Sequence, residues 1–463
     1  MPALVAALKD TNPDVRRRAA SALAEVWGKE GENIPAGPLV AALKDSDAEV
    51  RDKAARALTH VGKAAVGPLL AALKDTDPEV RRRAVKALGA LAERKEDGGR
   101  ALGPLVAALK DKDEQTRKQA EFALEMIGKA AVPALAAALK DNNPATRQAA
   151  ISVLGLIAMN KDGGEAVVAP LIGALRDRDE GVRRDASQAL ARVGKPAVPG
   201  LIEALKDSDA AVRAAAADAL GVVGMEAPAA VGPLAAALKD RDERVRQQAG
   251  TALAMVGNAA VPALVAALKD KDVPARRAAV AALGHLLRMK KAEAPSIAAL
   301  IQALKDRDEI VRAGAASALG AIGKPALPAL VEALTDNDLV VRYGAVSALG
   351  GMAALKQAGV PPVGPLIEML KDSDGLVRWG ASYALSTVGK SAVPALIKAL
   401  KEKDAEARAA AADALRRIGP DARAAVPSLL EVLKDEDESV QSAAAFALKQ
   451  IDPEAARRAG IED

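Results

Sequence analysis

Cysteine is absent from the 463-residue chain, and with it go disulfides, thiolate nucleophiles and cysteine-ligated zinc. Aromatic residues are almost absent too: two tryptophans, two tyrosines and two phenylalanines. Half of the chain is nevertheless apolar, and Ala, Leu and Val supply nearly all of that half. A core of such small side chains fills the narrow space between close helices, not the wider gaps between sheets. Neither sign of charge is in surplus, because 65 Lys plus Arg against 61 Asp plus Glu leave a net +4. Bulk charge therefore selects no partner. No basic-then-apolar leader and no uninterrupted apolar run of membrane-crossing length is visible, so a soluble, cytoplasmic protein without a membrane partner is the expectation.

What is present is one phrase, repeated. "LxxALKDxDxxVRxxAxxALxxxG" recurs along the chain, with its acidic anchor at Asp10, Asp45, Asp75, Asp111, Asp141, Asp177, Asp207, Asp240, Asp270, Asp306, Asp336, Asp372, Glu402 and Asp435. Asp45 to Asp75 is 30 residues and Asp75 to Asp111 is 36, and this alternation of short and longer spacing continues as a two-repeat superperiod. Within 259–287, Pro262 suits a first helical turn, and Val261, Leu264, Val265 and Leu268 make one apolar stripe, here called helix A. Asp272 then stands as N-cap of a second helix, helix B. In repeat 1 the helix B stripe is Val15, Ala19, Leu23 and Val26, with Gly28 as its C-cap. Neither helix buries its stripe alone, so the hairpins must stack. The expected fold is all-α: a right-handed α-solenoid of about fourteen two-helix repeats, continuous over residues 1–463.

The "D…VR" pair, six residues apart as in Asp10/Arg16, Asp45/Arg51 and Asp306/Arg312, resembles the HEAT repeat family, especially its short bacterial type. The resemblance covers essentially the whole chain and implies a hydrogen-bonded Asp–Arg ladder along the stack. A guanidinium fork bridging carboxylates of successive repeats is the physical counterpart. Only the last repeat departs, with Gln441 in the arginine position.

Several apparent chemical motifs dissolve into the repeat. "GKS" at 389–391 lacks the preceding glycine and strand of a phosphate loop, and Gly62-Lys63, Gly128-Lys129, Gly194-Lys195 and Gly323-Lys324 fill the same slot elsewhere. It reads as a helix terminus. "KEDGG" and "KDGG" in the longer connections lack the alternating oxygens of a calcium loop and read as helix C-cap turns. His60 and His285 sit seven layers apart and share no metal. Val61 and Leu286 follow them, where the HEAT-like deoxyhypusine hydroxylases carry iron-binding His-Glu pairs. Carboxylates recur in every repeat as caps and ladder partners, whereas a catalytic pair occurs once. No catalytic residue, cofactor or metal is expected.

Helix B is expected to line the concave surface, with positions +1, +5 and +8 from the ladder arginine as its floor. Phe122, Tyr343, Trp379, Tyr383 and Phe446 fall at +1 or +5, and only Trp27 does not. Gly314, Gly344 and Gly380 follow one another at +2, each costing about 1 kcal/mol against alanine inside a helix. Two explanations stay open: bare backbone for a ligand beside the rings, or relief of crowding between layers. Arg17, Arg18, Arg56, Arg82, Arg83, Lys86, Lys118 and Arg184 give the N-terminal floor a basic character, with Asp52 and Asp185 as the acids among them.

The leading expectation is a non-catalytic scaffold holding a protein or peptide in the groove. Tyr343, Trp379 and Tyr383 would anchor it, with Gly344 and Gly380 making room, and Arg17, Arg82, Arg83 and Lys118 would meet its acidic parts. The same basic residues support a second reading, nucleic-acid binding, in which HEAT-like DNA glycosylases are similar in outline. The repeats also resemble those of phycobilin lyase subunits, a resemblance that brings no catalytic residue. An engineered or consensus-like array without a natural partner is a further alternative. Leu4, Val5 and Leu8, with no polar helix before them, suggest end-to-end self-association through the N-terminal repeat.

Overall fold

Each copy of the phrase forms the hairpin its stripes require. The computed structural model describes residues 2–25, 35–93, 98–159, 164–289, 294–354 and 362–461. Every anchor lies between a short helix A and a longer helix B, from Pro2–Ala7 and Pro13–Glu25 in repeat 1 to Val426–Val432 and Glu438–Ile451 in repeat 14. Helix A stops where the Lys-Asp pair begins. The anchor carboxylate accepts the backbone N–H two residues on (Asp47 to Asp45, 2.9 Å), and the second aspartate caps helix B by accepting Glu49 and Val50 N–H. Asp272 holds the N-cap position of its helix, but its side chain makes no capping bond. Leu23, Leu39, Leu58 and Leu88 are completely buried, with Ala20, Ala54 and Ala84 beside them, so close packing of small residues makes the core.

The described residues group into two compact units, Met1–Val223 with repeats 1 to 7 and Gly224–Asp463 with repeats 8 to 14. Inside each unit, helix A packs on its own helix B and each helix B packs on the next, which makes an all-α solenoid stack. The run Glu243–Ala267 is long and apolar enough to cross a membrane by composition, yet 56% of its most apolar stretch is buried within its unit.

The superperiod has a structural basis. Where the connection is short, helix B spans 14 residues, as in Ala48–Val61 and Gly375–Val388, and a glycine with positive φ stops it (Gly62 68°, Gly389 72°). The "GKS" segment is such a terminus, continuing as a 3₁₀ turn, Gly389–Ala392. Where the connection is long, helix B runs 16 residues, as in Pro78–Glu93 and Leu339–Ala354. The C-cap turns expected of the long connections fall largely outside the described residues, while Gly98, Gly99 and Gly164 open the following helix A. Val26, Trp27 and Gly28 also lie outside them.

The ladder is present, with a different wiring at alternate interfaces. Arg16 forks onto Asp45 of the next repeat (2.8 and 3.0 Å) and donates Nη1 to the Asp10 carbonyl (2.9 Å). Arg81–Asp111, Arg147–Asp177, Arg276–Asp306, Arg342–Asp372 and Arg408–Asp435 repeat this two-oxygen bridge from odd to even repeats. From even to odd repeats the carboxylate is reached by the basic residue just before the anchor: Lys44–Asp75 (2.5 Å), Lys239–Asp270 (2.5 Å), Lys305–Asp336 (2.9 Å), and likewise Lys110–Asp141 and Arg176–Asp207. The expected bridging role of Arg51 and Arg312 is thereby corrected. Their Nη1 groups donate to the Asp45 and Asp306 carbonyls of their own repeats, at 2.7 and 2.9 Å, and Arg51 Nε is buried without a hydrogen-bond partner. Gln441 keeps just this within-repeat bond, Nε2 to the Asp435 carbonyl at 2.7 Å.

Candidate functional site

Helix B of repeat 11 (Leu339–Ala354) and of repeat 12 (Gly375–Val388) lie side by side, and the register sets what faces outward between them. The ladder bonds pin Arg342 and Arg378, so the next residues, Tyr343 and Trp379, turn out of the core, and Tyr383 follows one turn after Trp379. These rings are 37%, 47% and 50% exposed. Together with Val346, Ser347, Gly350, Gly351, Ala354, Gly380, Ala384 and Thr387 they line a cavity of about 360 Å³, within the usual range for ligand sites. No side chain in that lining carries a charge.

Trp379 and Tyr383 stack, with centroids 5.8 Å apart and planes 13° from parallel. Arg417, from helix B of repeat 13 (Ala405–Ile418), lies over both rings, its Cζ 5.8 Å from the Trp379 centroid and 6.0 Å from that of Tyr383. Ring stacking and a cation over a ring each contribute about 0.5–1 kcal/mol at such partly exposed sites. Arg417 is itself held, because Nε donates to Asp413 Oδ2 at 2.8 Å. Burial pushes the Asp413 carboxyl upward, but bonds from Arg417, Arg416 and the buried Ser382 outweigh it and hold the group below the ordinary carboxylate range. The cluster thus fixes one face of the stacked rings and leaves the cavity side open.

The +2 glycines are explained by packing. A Cβ at Gly314 would lie 2.8 Å from Val280 Cγ1, and one at Gly344 would lie 2.9 Å from Leu304 Cδ2. Both faces are occupied by the preceding layer, so Gly344 does not open space for a ligand, and it is not part of the cavity wall. Gly380 is different: a Cβ there would meet Tyr343 Cε2 and Val346 Cγ1 at 3.3 Å. Its bare backbone is what allows the Tyr343 ring to approach the next layer this closely. Phe122 and Phe446, 55% and 61% exposed, stand outside this cavity.

Four of the basic residues of repeats 1 to 4 arrive with counter-charges. Arg17 pairs with Asp14 and with Asp47, the cap of the next helix B (3.1 and 2.8 Å). Arg82 pairs with Glu79 and Asp113 (2.7 and 3.3 Å), Arg83 with Glu79 and with Asp52 (3.3 Å), and Lys118 with Glu114 (2.6 Å). The Arg17 bond holds the Asp47 carboxyl down at about 2, and Arg277 does the same to Asp308, also at about 2. These arginines work first as a second ladder between neighbouring layers.

Sequence reasoning missed two features. One is Arg417. The other is a second cavity of about 560 Å³ on helix B of repeats 8 and 9, lined among others by Gln247, Thr251, Arg277, His285 and Arg288. Among the described residues, no group of three or more His, Asp or Glu side chains is arranged to hold a metal ion.

Models of HEAT repeats match residues 34–125, 102–191, 198–284, 261–350, 341–416 and 363–449, and a single HEAT repeat matches 1–28. The chain belongs to the HEAT repeat family. One stretch of this HEAT protein, 182–207, also matches the PBS lyase HEAT-like repeat. No curated protein matches the chain. Among solved structures it is similar to Kap121p bound to Ste12p, at 16% identity and a TM-score of 0.43, over 97% of this chain and 52% of that one. Kap95p, solved with RanGDP, gives 15% identity and a TM-score of 0.39, over 97% and 72% of the two chains. The chain therefore spans about half the length of Kap121p.

Proposed function

We propose that this HEAT protein is a non-catalytic scaffold that holds a peptide or protein segment on its helix B face, with Tyr343, Trp379 and Tyr383 as the anchor. The observation that carries the reading is the convergence of three half-exposed rings, half of the chain's six aromatics, on one uncharged cavity. Aromatic side chains offer large, rigid contact area at low entropic cost and dominate binding energy where they occur at interfaces. The cavity wall carries no charged side chain, and an apolar side chain of a partner would find aromatic and aliphatic surface and a stacked ring pair to rest on. The acid-meeting role first expected of Arg17, Arg82, Arg83 and Lys118 has less support, because their charges are already matched, the arginines across layers and Lys118 within its own helix.

The test is a selection of displayed random peptides against the wild-type chain, counter-screened on a Tyr343→Ala, Trp379→Ala double variant. Selected binders should lose the double variant. If they bind both proteins equally well, the anchor lies elsewhere.

A further inference from the structure

Beside the rings of the aromatic cavity, toward repeat 13, lies an uneven charge cluster. Asp413 is the single carboxylate, and it serves two guanidinium groups: Arg416 gives Nε and Nη2 to Oδ1 at 3.0 and 2.6 Å, and Arg417 gives Nε to Oδ2 at 2.8 Å. Ser382 Oγ also donates to Oδ2, at 3.0 Å, so both carboxylate oxygens are engaged. The nearest other cation on helix B of repeat 12, Arg378, is paired with Glu406. Two positive groups against one negative leave a surplus cation beside the rings that line the cavity, and it is Arg417 that lies over them.

From this we infer that the cavity takes a peptide with an apolar side chain and an acidic one close to it in sequence; the inference rests on the binding reading above and specifies its partner. The uncharged wall of Tyr343, Val346, Ala354 and Trp379 suits the apolar residue. Bonding to Asp413 engages Arg417 through Nε, and the remaining N–H groups form the planar fork that a carboxylate meets with two parallel hydrogen bonds. A cationic ligand is disfavoured because Arg417 already holds the position over the rings. A single-stranded nucleic acid needs a cationic track along its backbone, whereas this cluster offers one surplus charge beside Glu406 and Asp413.

The chain has two tryptophans, so a Trp27→Phe background leaves Trp379 as the only fluorophore of its kind. In that background, capped peptides containing Leu-Ala-Glu, Leu-Ala-Gln or Leu-Ala-Lys, and an oligothymidylate, are titrated while Trp379 emission is followed. The glutamate peptide should bind at least about tenfold tighter than the lysine peptide. Arg417→Gln should level the series and Arg417→Glu should invert it, with far-UV circular dichroism unchanged. Equal affinity for the three peptides, tighter binding of lysine, or tighter binding of the oligothymidylate overturns the acidic specification. If the three bind equally and Tyr343→Ala abolishes binding, only that specification falls. If no peptide perturbs Trp379 at millimolar concentration, or Tyr343→Ala changes nothing, the anchor reading falls with it.

Discussion

Arg82 and Trp379 occupy the same place in their repeats, the residue after the ladder arginine on helix B, and they meet opposite fates. Arg82 is clasped by Glu79 of its own helix and Asp113 of the next layer, while Trp379 stands half exposed against Tyr383 beneath a borrowed guanidinium. The same register delivers an inter-layer tie in one repeat and an open face in another. What decides is whether the neighbouring layer supplies a complement. For Arg17, Arg82 and Arg277 it does, through the aspartate at the N-cap position of the next helix B; for the ring of Trp379 it supplies nothing that covers the cavity side.

The largest expected effect separates these two faces directly. Replacing Tyr343 and Trp379 together by alanine should weaken a peptide selected on the wild-type chain by at least about 100-fold, as for paired hot-spot residues. Replacing Arg82 and Arg83 by serine should change the same affinity by less than about threefold by calorimetry, since rim charges already paired within the protein add little. Steep loss of binding with added salt, tracking Arg82 and Arg83, would restore a phosphate-binding role to repeat 3.

The second contrast is between interfaces. Arg81→Met removes a two-oxygen bridge to the largely covered Asp111 and should cost about 1–3 kcal/mol. Lys110→Met removes the exposed counterpart at the following interface and should cost less than about 1 kcal/mol. Hydrogen exchange at repeats 3 to 5 reads the two locally, which suits a stack whose layers need not unfold together.

A smaller effect distinguishes the glycines. Gly344→Ala drives a methyl to 2.9 Å of Leu304 Cδ2, an overpacking cost of about 1–3 kcal/mol partly offset by the roughly 1 kcal/mol gain in helix propensity. It should lower the melting temperature and leave peptide affinity alone. Gly380→Ala pushes on the Tyr343 ring itself and should lower affinity severalfold with little change in melting.

The smallest is a pH effect. Asp47 and Asp308 are held at about 2 in the folded chain by Arg17 and Arg277, below the ordinary carboxylate near 4. A depressed carboxylate stabilises the fold above its unfolded pKa, and that contribution is lost as pH falls from about 4 toward 2. Arg17→Gln and Arg277→Gln should shift both titrations upward in carboxyl-resolved NMR and flatten the acid dependence of stability. The cavity of repeats 11 and 12, whose lining holds no carboxylate, contributes nothing to it.

Much of this was legible in the phrase itself. A stripe that recurs fourteen times between an aspartate pair and a glycine forces stacked hairpins, and the outward turn of Tyr343 and Trp379 follows from the register of Arg342 and Arg378. The ladder's alternation was not legible, because Arg16 and Arg51 look identical in sequence. The difference goes with the length of the connection: across the long one the guanidinium of Arg16 reaches the next aspartate, and across the short one Lys44 does. The glycine row was visible without what faces it, since Val280 and Leu304 belong to other repeats. Arg417 was missed for the same reason. Its signal was the run from Asp413 to Arg416 and Arg417, spaced for i+3 and i+4 pairing, which locks two arginines at the edge of a neighbour's rings.

The most direct measurement is the solvent access of Trp379 in the Trp27→Phe chain, read by acrylamide quenching with and without a selected peptide. The account predicts that the bound peptide shields Trp379 and shifts its emission to the blue, and that Tyr343→Ala removes both changes. Quenching of Trp379 that is the same in the free and the bound protein would contradict it.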